Sequence, residues 1–372
     1  MSQLHAVVTG GGTAGHVLPA LAVAEALVGA GHDPATIRYV GAQRGIETEL
    51  LPETQFPYTF HDVVGLQRSL TRRNLAFVPK MFRSSRDAVR EFRANRPQVV
   101  VSVGGYASMP SVFAARRLGI PIVVVSYDHT PGRASRLSAH AAAACAVAFD
   151  DSPLPRATMT GAPVRQAILD VDRARGRANA RDALGLPPDA FVLAVIGGSQ
   201  GSAALNEATA HYLAAHAGDA DLAVRHIVGE RFADDVRVTA PDLPTPGAVH
   251  QIVGYEREMP LVYEAADLLV GRGGASTVHE VAVTGTPAIL VPWAASADDH
   301  QTENVRWLSS AGGAVLLPES EIAGLGDLIE SLRSDDTVRA GLAASARTMG
   351  VRHRSGALAA LIDRVALTSD AS

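Results

Sequence analysis

A glycine-rich loop followed at once by a histidine is the first feature of this sequence that could do chemistry. The segment VVTGGGTAGHVLPALAVAEAL, residues 7–27, places Gly10, Gly12 and Gly15 in the spacing G-x-G-x-x-G, with His16 next. Glycines at this spacing let backbone amides approach a bound phosphate, and an imidazole titrates near neutral pH. The segment therefore predicts either a pyrophosphate cradle or a reacting histidine.

The residues after the second predicted strand help to separate these two interpretations. A dinucleotide-binding fold needs an acidic residue about 20 positions further on, where it holds the ribose hydroxyls. Here the strand IRYVGA runs into Gln43 and Arg44. The sequence thus disfavours nicotinamide or flavin binding and makes His16 the candidate general base, with a phosphate contact or a helix cap as its alternative role. Pro19 is expected in the first turn of the following helix.

Three further loops carry groups that suit a nucleotide diphosphate attached to a sugar. The loop GGSQG, residues 197–201, follows a strand and precedes a helix, so its amides and the Ser199 hydroxyl suit a phosphate. Glu280 follows the loop GRGG by about one helical turn, where a carboxylate can accept two ribose hydroxyls. Gln301 and Asn304 share one face of a helix that should begin near residue 299, and their amides can reach sugar hydroxyls. Taken singly, each is compatible with an ordinary turn or helix surface.

The elements that must position these loops alternate regularly along the chain. Strand-like runs and amphipathic stretches follow one another, which predicts two doubly wound α/β sheets in series. We expect an N-terminal Rossmann-like domain over residues 1–162 and a second one over residues 163–349. Such sheets bind ligands beyond the carboxyl ends of their strands, so the loops are expected to face a cleft between the domains.

Composition narrows the class of protein. The 372 residues are 47% hydrophobic with a formal net charge of −5, which predicts a globular protein and argues against nucleic acid as a partner. Cys145 is the only cysteine, so an internal disulfide is impossible and inert core packing is expected. We expect a cytoplasmic protein without a signal peptide or a membrane-spanning segment. No His, Cys and Asp group has convincing ligand spacing, so no metal or other cofactor is predicted to be required.

A basic excess is confined to residues 67–96, where nine basic residues stand against two acidic ones with apolar residues between them. An apolar patch with a basic rim suits the surface of an anionic membrane. The alternative is a cationic helix face over an ordinary core. The predicted membrane patch comprises Arg72, Arg73, Leu75, Phe77, Val78, Lys80, Met81, Phe82 and Arg83.

Six motifs in order resemble those of the MurG-type glycosyltransferases, which transfer N-acetylglucosamine (GlcNAc) from UDP-GlcNAc to a lipid-linked muramyl peptide. They are GGGTAGHVLPALAVAEAL, GGYASMP, GAPVR, GGSQGSAALN, GRGGASTVHEVAVTGTPAILVPW and DDHQTENV. The resemblance implies a type B glycosyltransferase fold, with the UDP-sugar held mainly by the C-terminal domain and a last helix, about residues 350–368, returning to the N-terminal domain. It also implies a peripheral protein on the cytoplasmic face of the plasma membrane, and makes cell-wall synthesis proteins candidate partners.

The resemblance also assigns residues to roles. It places His16 at the reacting centre as candidate base. Its donor-binding positions are Thr13, Gly15, Arg165, Ser199, Gln200, Gly201, Tyr255, Glu256, Glu280, Gln301 and Asn304. Its acceptor-side positions are Gly104, Gly105, Tyr106, Ser108, Asp128 and His129.

Two departures from the family pattern lie on the acceptor side. The chain reads SYDHTPGRASRLSA where the family has a His-Glu-Gln-Asn box before a Pro-Gly turn, so Asp128 is the candidate for the acidic position. Met109 replaces a glycine of the second glycine motif. Besides transfer to the undecaprenyl-pyrophosphoryl muramyl peptide, the sequence leaves three alternatives: transfer to another lipid or small-molecule acceptor, UDP-GlcNAc epimerisation, and a non-catalytic nucleotide-sugar sensor.

Overall fold

The computed structural model of the chain describes residues 3–63, 77–295 and 299–369. The chain divides into two compact units, an N-terminal unit of residues 1–166 with 352–372 and a C-terminal unit of residues 167–351. Each unit holds one parallel sheet with helices packed on it, which confirms the two doubly wound sheets expected from the sequence. The sequence predicts that the N-terminal domain ends at residue 162, and in the structure the first segment of the N-terminal unit ends at residue 166.

The N-terminal unit contains a seven-stranded sheet in the order β3-β2-β1-β4-β5-β6-β7. Its strands are β1 (Ala6–Thr9), β2 (Ile37–Ala42), β3 (Tyr58–His61), β4 (Val99–Ser102), β5 (Ile122–Ser126), β6 (Ala144–Val147) and β7 (Ala157–Met159). Its helices are α1 (Ala14–Gly29), α2 (Glu47–Leu50), α3 (Phe77–Ala94), α4 (Met109–Leu118), α5 (Arg133–Ala139) and, at the C-terminus, α15 (Ala357–Ser369).

The C-terminal unit contains a six-stranded sheet in the order β10-β9-β8-β11-β12-β13. Its strands are β8 (Phe191–Ile196), β9 (Leu222–Ile227), β10 (Val249–Val253), β11 (Leu268–Arg272), β12 (Ala288–Val291) and β13 (Val315–Leu316). Its helices, from the boundary onward, are α6 (Gln166–Leu169), α7 (Arg173–Ala183), α8 (Ala203–Ala215), α9 (Ala233–Thr239), α10 (Met259–Ala265), α11 (Ala275–Thr284), α12 (His300–Ser309), α13 (Leu325–Arg333) and α14 (Asp336–Gly350).

The strand sequences explain why both sheets are parallel and central. Strands β4 and β5 read VVVS and IVVVS, and all their residues are buried. Continuous β-branched runs of this kind fit a sheet that helices cover on both faces. In each sheet the strand order reverses beside the first strand of the unit, between β1 and β4 and between β8 and β11. The loops after these four strands therefore lie side by side in pairs, where open α/β sheets bind ligands.

The last helix belongs to the N-terminal unit. Helix α15 buries Leu358, Leu361, Ile362 and Val365 there. Ahead of it, the buried His353 accepts a hydrogen bond from the amide of Ala162 through Nδ1 (2.9 Å). These contacts place α15 on the same unit as β1.

Two expectations from composition can be compared with the structure. Cys145 lies fully buried on β6, and burial raises the pKa of its thiol to about 11, which fits inert packing. Across the described ranges, no helix has both the length and the hydropathy needed to cross a bilayer.

Candidate active site

Two glycine loops of the N-terminal unit meet backbone to backbone. One follows β1 at Gly10 to Gly12, and the other follows β4 at Gly104 and Gly105. Gly105 has φ +76°, and a Cβ there would lie 2.6 Å from the Gly11 carbonyl oxygen. Both the backbone conformation and the space therefore require glycine.

His16 lies in the first turn of α1 with its ring over the second loop. A Cβ on Gly104 would lie 3.4 Å from His16 Cδ2, and His16 Nδ1 is 3.1 Å from Thr13 Oγ1. Burial lowers the pKa of His16 below its ordinary value, and the Asp128 carboxylate partly offsets this shift. The imidazole is therefore neutral near pH 7, and when Nδ1 donates to Thr13 the lone pair of Nε2 is free to accept a proton.

A proline in α1 leaves one helical carbonyl for another donor. Pro19 was expected in the first turn, but α1 begins at Ala14, so Pro19 is its sixth residue. Because proline has no N–H, the carbonyl of Gly15 four residues earlier lacks its helical partner. The hydroxyl of Tyr127, directly after β5, donates to that carbonyl. Burial, with the nearby Asp128 charge, raises the pKa of Tyr127 well above its ordinary value, so the hydroxyl remains a donor.

Three other acceptor-side positions, Ser108, Tyr106 and His129, lie in different surroundings. Ser108 is buried and its hydroxyl donates to the carbonyl of Gly105 (2.8 Å), so it shapes the second glycine loop. Tyr106 is half-buried at the start of the short 3-10 turn that contains Ser108. His129 pairs with Asp151 (Nε2 to Oδ2, 3.1 Å). Their roles toward a ligand stay predictions.

Glu47 is a residue of this site that the sequence analysis missed. It begins α2, five residues beyond the end of β2, and is completely buried. Its Oε1 accepts hydrogen bonds from the amides of Gly12 (3.1 Å) and Ala42 (3.2 Å). The amide of Gly12 is thus engaged by the protein itself. The only signal in the sequence is an acid just past the second strand, a little later than a ribose-binding acid would stand.

Tyr39 supports the first glycine loop from the neighbouring strand. Its hydroxyl donates to the carbonyl of Gly10 (2.6 Å). Burial, and next the charge of Glu47, raise the pKa of Tyr39 well above its ordinary value, which keeps it a donor. Tyr39 thus holds a carbonyl group of this loop, and Glu47 holds one of its amide groups.

The glycine loop after β8 is arranged differently. Gly201 (φ +66°) packs on Gly229, where a Cβ on Gly229 would lie 2.5 Å from Gly201 Cα. Ser202 caps α8 by accepting a hydrogen bond from the amide of Leu205 (3.2 Å). Ser199 and Gln200 are exposed beside this cap, where they are accessible to a ligand.

Arg272, at the end of β11, brings a cation to the same loop and was also missed. Its guanidinium donates to the Ser202 hydroxyl (2.7 Å) and to the Glu319 carboxylate. Burial alone would raise the pKa of Glu319, but the Ala294 amide and Arg272 outweigh it and lower that pKa, so the pair is ionised. A guanidinium beside a helix start suits a diphosphate. The sequence does contain a signal for Arg272, namely a basic residue at the end of a strand, directly before Gly273 and Gly274.

Glu280 lies in the second turn of α11 and is half-buried. Its Oε2 accepts a hydrogen bond from the hydroxyl of Tyr263 (2.6 Å), which is completely buried. Burial, and next the charge of Glu280, raise the pKa of Tyr263 well above its ordinary value. Tyr263 therefore holds one carboxylate oxygen of Glu280 in place.

The two amides expected near a sugar lie on α12, which begins at His300 as predicted. Gln301 Oε1 accepts from the amide of Trp293 (2.9 Å). Asn304 is completely buried, and its side-chain nitrogen donates to the carbonyl of Gly273 (3.4 Å). Asn304 thereby ties α12 to the glycine loop after β11, and a sugar contact for either amide stays a prediction.

Two of the remaining donor positions, Glu256 and Arg165, form ion pairs. Glu256 is buried and pairs with Arg225 (Oε2 to Nη2, 2.6 Å), while Tyr255 beside it is half-buried. Arg165 pairs with Glu25 of α1 (Nε to Oε1, 2.7 Å) within the N-terminal unit. A backbone contact to uracil at 255–256 and a phosphate contact for Arg165 stay predictions.

The predicted membrane patch lies partly on α3. Arg72, Arg73 and Leu75 fall outside the described residues, and Phe77 and Val78 begin the helix. Phe82 is 65% exposed and Arg83 is exposed beside it. Met81 is half-buried, and Lys80 pairs with Asp62 (2.8 Å). The same helix buries Ala88 and Phe92 in the core, so α3 combines a core face with an exposed cationic and aromatic face.

Within the described residues, one group of His and Asp side chains is close enough to hold a metal ion: His5, His32 and Asp363. His5 stands before β1, whereas the glycine loop follows the opposite end of that strand. The group is therefore separate from the loops described above.

Comparisons with known proteins match most of the chain to one family. The glycosyltransferase family 28 N-terminal domain matches residues 6–147, and the C-terminal domain of that family matches residues 192–356. A relative from Acidothermus cellulolyticus, named UDP-N-acetylglucosamine–N-acetylmuramyl-(pentapeptide) pyrophosphoryl-undecaprenol N-acetylglucosamine transferase, is 38% identical over 98% of each chain. A relative of the same name from Desulforudis audaxviator is 34% identical, covering 98% of this chain and 99% of its own. The crystal structure of MurG from Acinetobacter baumannii superposes with a TM-score of 0.69 at 26% identity, covering 98% of this chain and 99% of its own.

The position of Glu47 predicts a specific loss when it is truncated. Glu47→Ala leaves the amides of Gly12 and Ala42 without this acceptor. Because the amide of Ala42 is buried, we expect the free energy of unfolding to fall by about 1–3 kcal/mol. Amide hydrogen exchange in a peptide covering residues 7–27 should become faster. Glu49→Ala, an exposed acid two residues away, is the matched control and should change neither quantity. Unchanged exchange in Glu47→Ala would contradict a role in holding the loop.

Proposed function

We infer that this chain, which belongs to glycosyltransferase family 28, is a UDP-GlcNAc-dependent N-acetylglucosaminyltransferase that converts lipid I to lipid II in peptidoglycan synthesis. Its acceptor is the muramyl 4-hydroxyl of the undecaprenyl-pyrophosphoryl muramyl pentapeptide. The observation that carries this conclusion is the match over nearly the full length of enzymes with that activity in their names.

The reaction sets two requirements that the described side chains can meet. The acceptor oxygen forms a bond to the anomeric carbon of GlcNAc while the bond from that carbon to the UDP oxygen breaks. A base must take the hydroxyl proton, and the leaving diphosphate must be stabilised. Attack from the face opposite UDP inverts the anomeric configuration.

We assign the role of the base that takes the hydroxyl proton to His16. Its pKa is lowered by burial, so the ring is neutral at working pH, and Thr13 holds one ring nitrogen so that the other can accept the proton. Its place over the second glycine loop puts it among the positions that the resemblance assigns to the acceptor. A neutral, oriented imidazole is the state that general-base catalysis requires.

For the donor we assign the groups of the C-terminal unit. The start of α8 with Ser199, Gln200 and Gly201 suits the diphosphate, and Arg272 supplies positive charge next to that helix start. Glu280, oriented by Tyr263, is the acceptor for the ribose hydroxyls. No step in this scheme calls for a metal ion, because the cationic side chain and the helix amides meet the leaving charge.

The direct test is transfer in vitro. Purified protein with labelled UDP-GlcNAc and a short-chain lipid I analogue should yield a labelled disaccharide product, at the same rate with and without excess chelator. Transfer only to another acceptor would favour the related transferase with a different acceptor. Loss of transfer in chelator, under conditions where the protein stays folded, would refute catalysis without a metal.

The base assignment predicts a selective defect for His16→Ala. Turnover should fall by about 10²–10⁴-fold, the usual contribution of a positioned base, while the Kd for UDP-GlcNAc is retained. His140→Ala removes an exposed histidine of the same unit and serves as control. Near-normal turnover in His16→Ala would exclude it as the base.

The charge of Asp128 predicts a shift in the pH profile. Transfer requires neutral His16, so kcat/KM should fall as pH drops through a His16 pKa that lies below its ordinary value. Asp128 raises that pKa, so Asp128→Asn should lower it further and move the acid limb to lower pH. Asp151→Asn, whose carboxylate pairs with His129 instead, should leave the limb in place. A limb that moves to higher pH in Asp128→Asn would contradict the assignment.

We further propose that the protein works as a peripheral protein at the cytoplasmic face of the plasma membrane, with α3 as the contact. The support is the exposed aromatic side chain of Phe82 beside Arg83, within a segment rich in basic residues. Apolar insertion and attraction to anionic lipid act together in such segments.

Phe82→Ser tests the membrane contact without changing charge. Co-sedimentation with vesicles containing phosphatidylglycerol should decrease, and binding by the unchanged protein should weaken as salt is raised. Leu367→Ser, which removes a comparably exposed apolar side chain of α15, is the control. Vesicle binding that depends on neither the anionic lipid content nor the salt concentration would contradict this proposal.

A further inference from the structure

A large aromatic side chain lies partly in solvent beyond the carboxyl end of β12. Trp293 follows the last residue of β12 by two positions and is 46% exposed. The other tryptophan of the chain, Trp307, is half-buried on α12 and its ring contacts that of His279 (centroids 5.4 Å apart). A single exposed apolar side chain is ordinary in itself. Trp293 is distinguished by how its backbone is held and by what lies next to it.

Side chains hold the backbone on both sides of Trp293 through four hydrogen bonds. These run from Arg272 Nη1 to the carbonyls of Val291 (3.3 Å) and Pro292 (3.4 Å), from the amide of Trp293 to Gln301 Oε1 (2.9 Å), and from the amide of Ala294 to Glu319 Oε2 (2.9 Å). Arg272 and Glu319 also pair with each other. The indole therefore extends from a backbone that is already fixed, which reduces the entropy lost when a ligand packs on it.

The guanidinium that holds this segment also contacts the proposed diphosphate site. Arg272 Nη2 donates to the hydroxyl of Ser202 (2.7 Å), the residue that caps α8. Pro292 and the start of α8 are thus joined by one planar group. In a nucleotide-diphosphate sugar, the pyranose is bonded directly to the second phosphate. A sugar on a diphosphate at the start of α8 therefore lies within reach of the residue that follows Pro292.

Gln301 and Trp293 suit the two kinds of surface that one pyranose presents. Gln301 Oε1 accepts from the Trp293 amide, so its side-chain nitrogen is the group left to donate to a hydroxyl. In GlcNAc the ring hydroxyls and the acetamido group are equatorial, so the faces of the ring carry axial C–H groups. A flat apolar indole packs on such a face, while an amide bonds to the hydroxyls at the edge.

We propose that the indole of Trp293 packs on a face of the GlcNAc ring of the donor and supplies affinity for the sugar that is separate from affinity for the nucleotide. This inference rests on the proposed transferase function, because it takes UDP-GlcNAc as the ligand. Trp293 is a binding residue and moves no proton. Because the contact is the same before and during transfer, its loss should raise KM more than it lowers kcat.

Equilibrium binding of UDP-GlcNAc and of UDP to the full-length protein separates the sugar from the nucleotide. Covering about 40–80 Å² of indole, at the usual free energy per unit of apolar area, corresponds to about 5–30-fold in Kd. Trp293→Ala should therefore weaken UDP-GlcNAc binding by about 5–30-fold and leave the Kd for UDP unchanged. Trp293→Phe should recover most of the loss. Trp307→Phe is the matched control and should change neither Kd.

Fluorescence of the Trp307→Phe variant tests the contact with Trp293 intact, since Trp293 is then the only tryptophan. UDP-GlcNAc should reduce the quenching of its emission by acrylamide, and UDP should not. Equal protection by the two would assign the indole to the nucleotide and overturn the inference, as would an unchanged Kd for UDP-GlcNAc in Trp293→Ala. These outcomes leave the proposed function standing. Absence of binding of both UDP and UDP-GlcNAc to the unchanged protein would overturn the proposed function together with this inference.

Discussion

The approach of the Gly11 carbonyl to Gly105 is the constraint on which the N-terminal site depends. Strand order places the loops after β1 and β4 next to each other, and only glycine allows their backbones to come so close. His16 can then lie over Gly104 with its ring half-buried, and this burial lowers its pKa. A side chain at Gly105 would clash with the Gly11 carbonyl and push the two loops apart.

Side chains of opposite charge contact the first glycine loop of each unit: Glu47 in the N-terminal unit and Arg272 in the C-terminal unit. In the N-terminal unit, the carboxylate of Glu47 accepts the hydrogen bond of the Gly12 amide. The first loop therefore has one amide fewer to donate to a bound anion than its sequence suggests. In the C-terminal unit, the guanidinium of Arg272 stands beside the capped start of α8, which favours an anion there. Two loops of similar glycine pattern thus differ in which ligand groups they suit, and the difference comes from side chains outside the loops.

Several side chains act by satisfying backbone groups that local structure leaves open. Tyr127 donates to the carbonyl that Pro19 cannot serve, and Tyr39 donates to Gly10. Asn304 links α12 to Gly273 in the same way. A buried backbone group without a partner costs free energy comparable to a lost hydrogen bond, so these contacts stabilise the loops that carry the candidate site.

The sequence by itself determined the two doubly wound sheets, the family, the glycine loops and the start of α12, because hydrophobic period and glycine spacing are local properties. Only the tertiary structure decided how those loops are held. Glu47 is 35 residues from Gly12, Arg272 is 70 from Ser202, and Asp363 is 358 from His5. Strand order and the return of α15 bring these partners together, and no spacing along the chain encodes that.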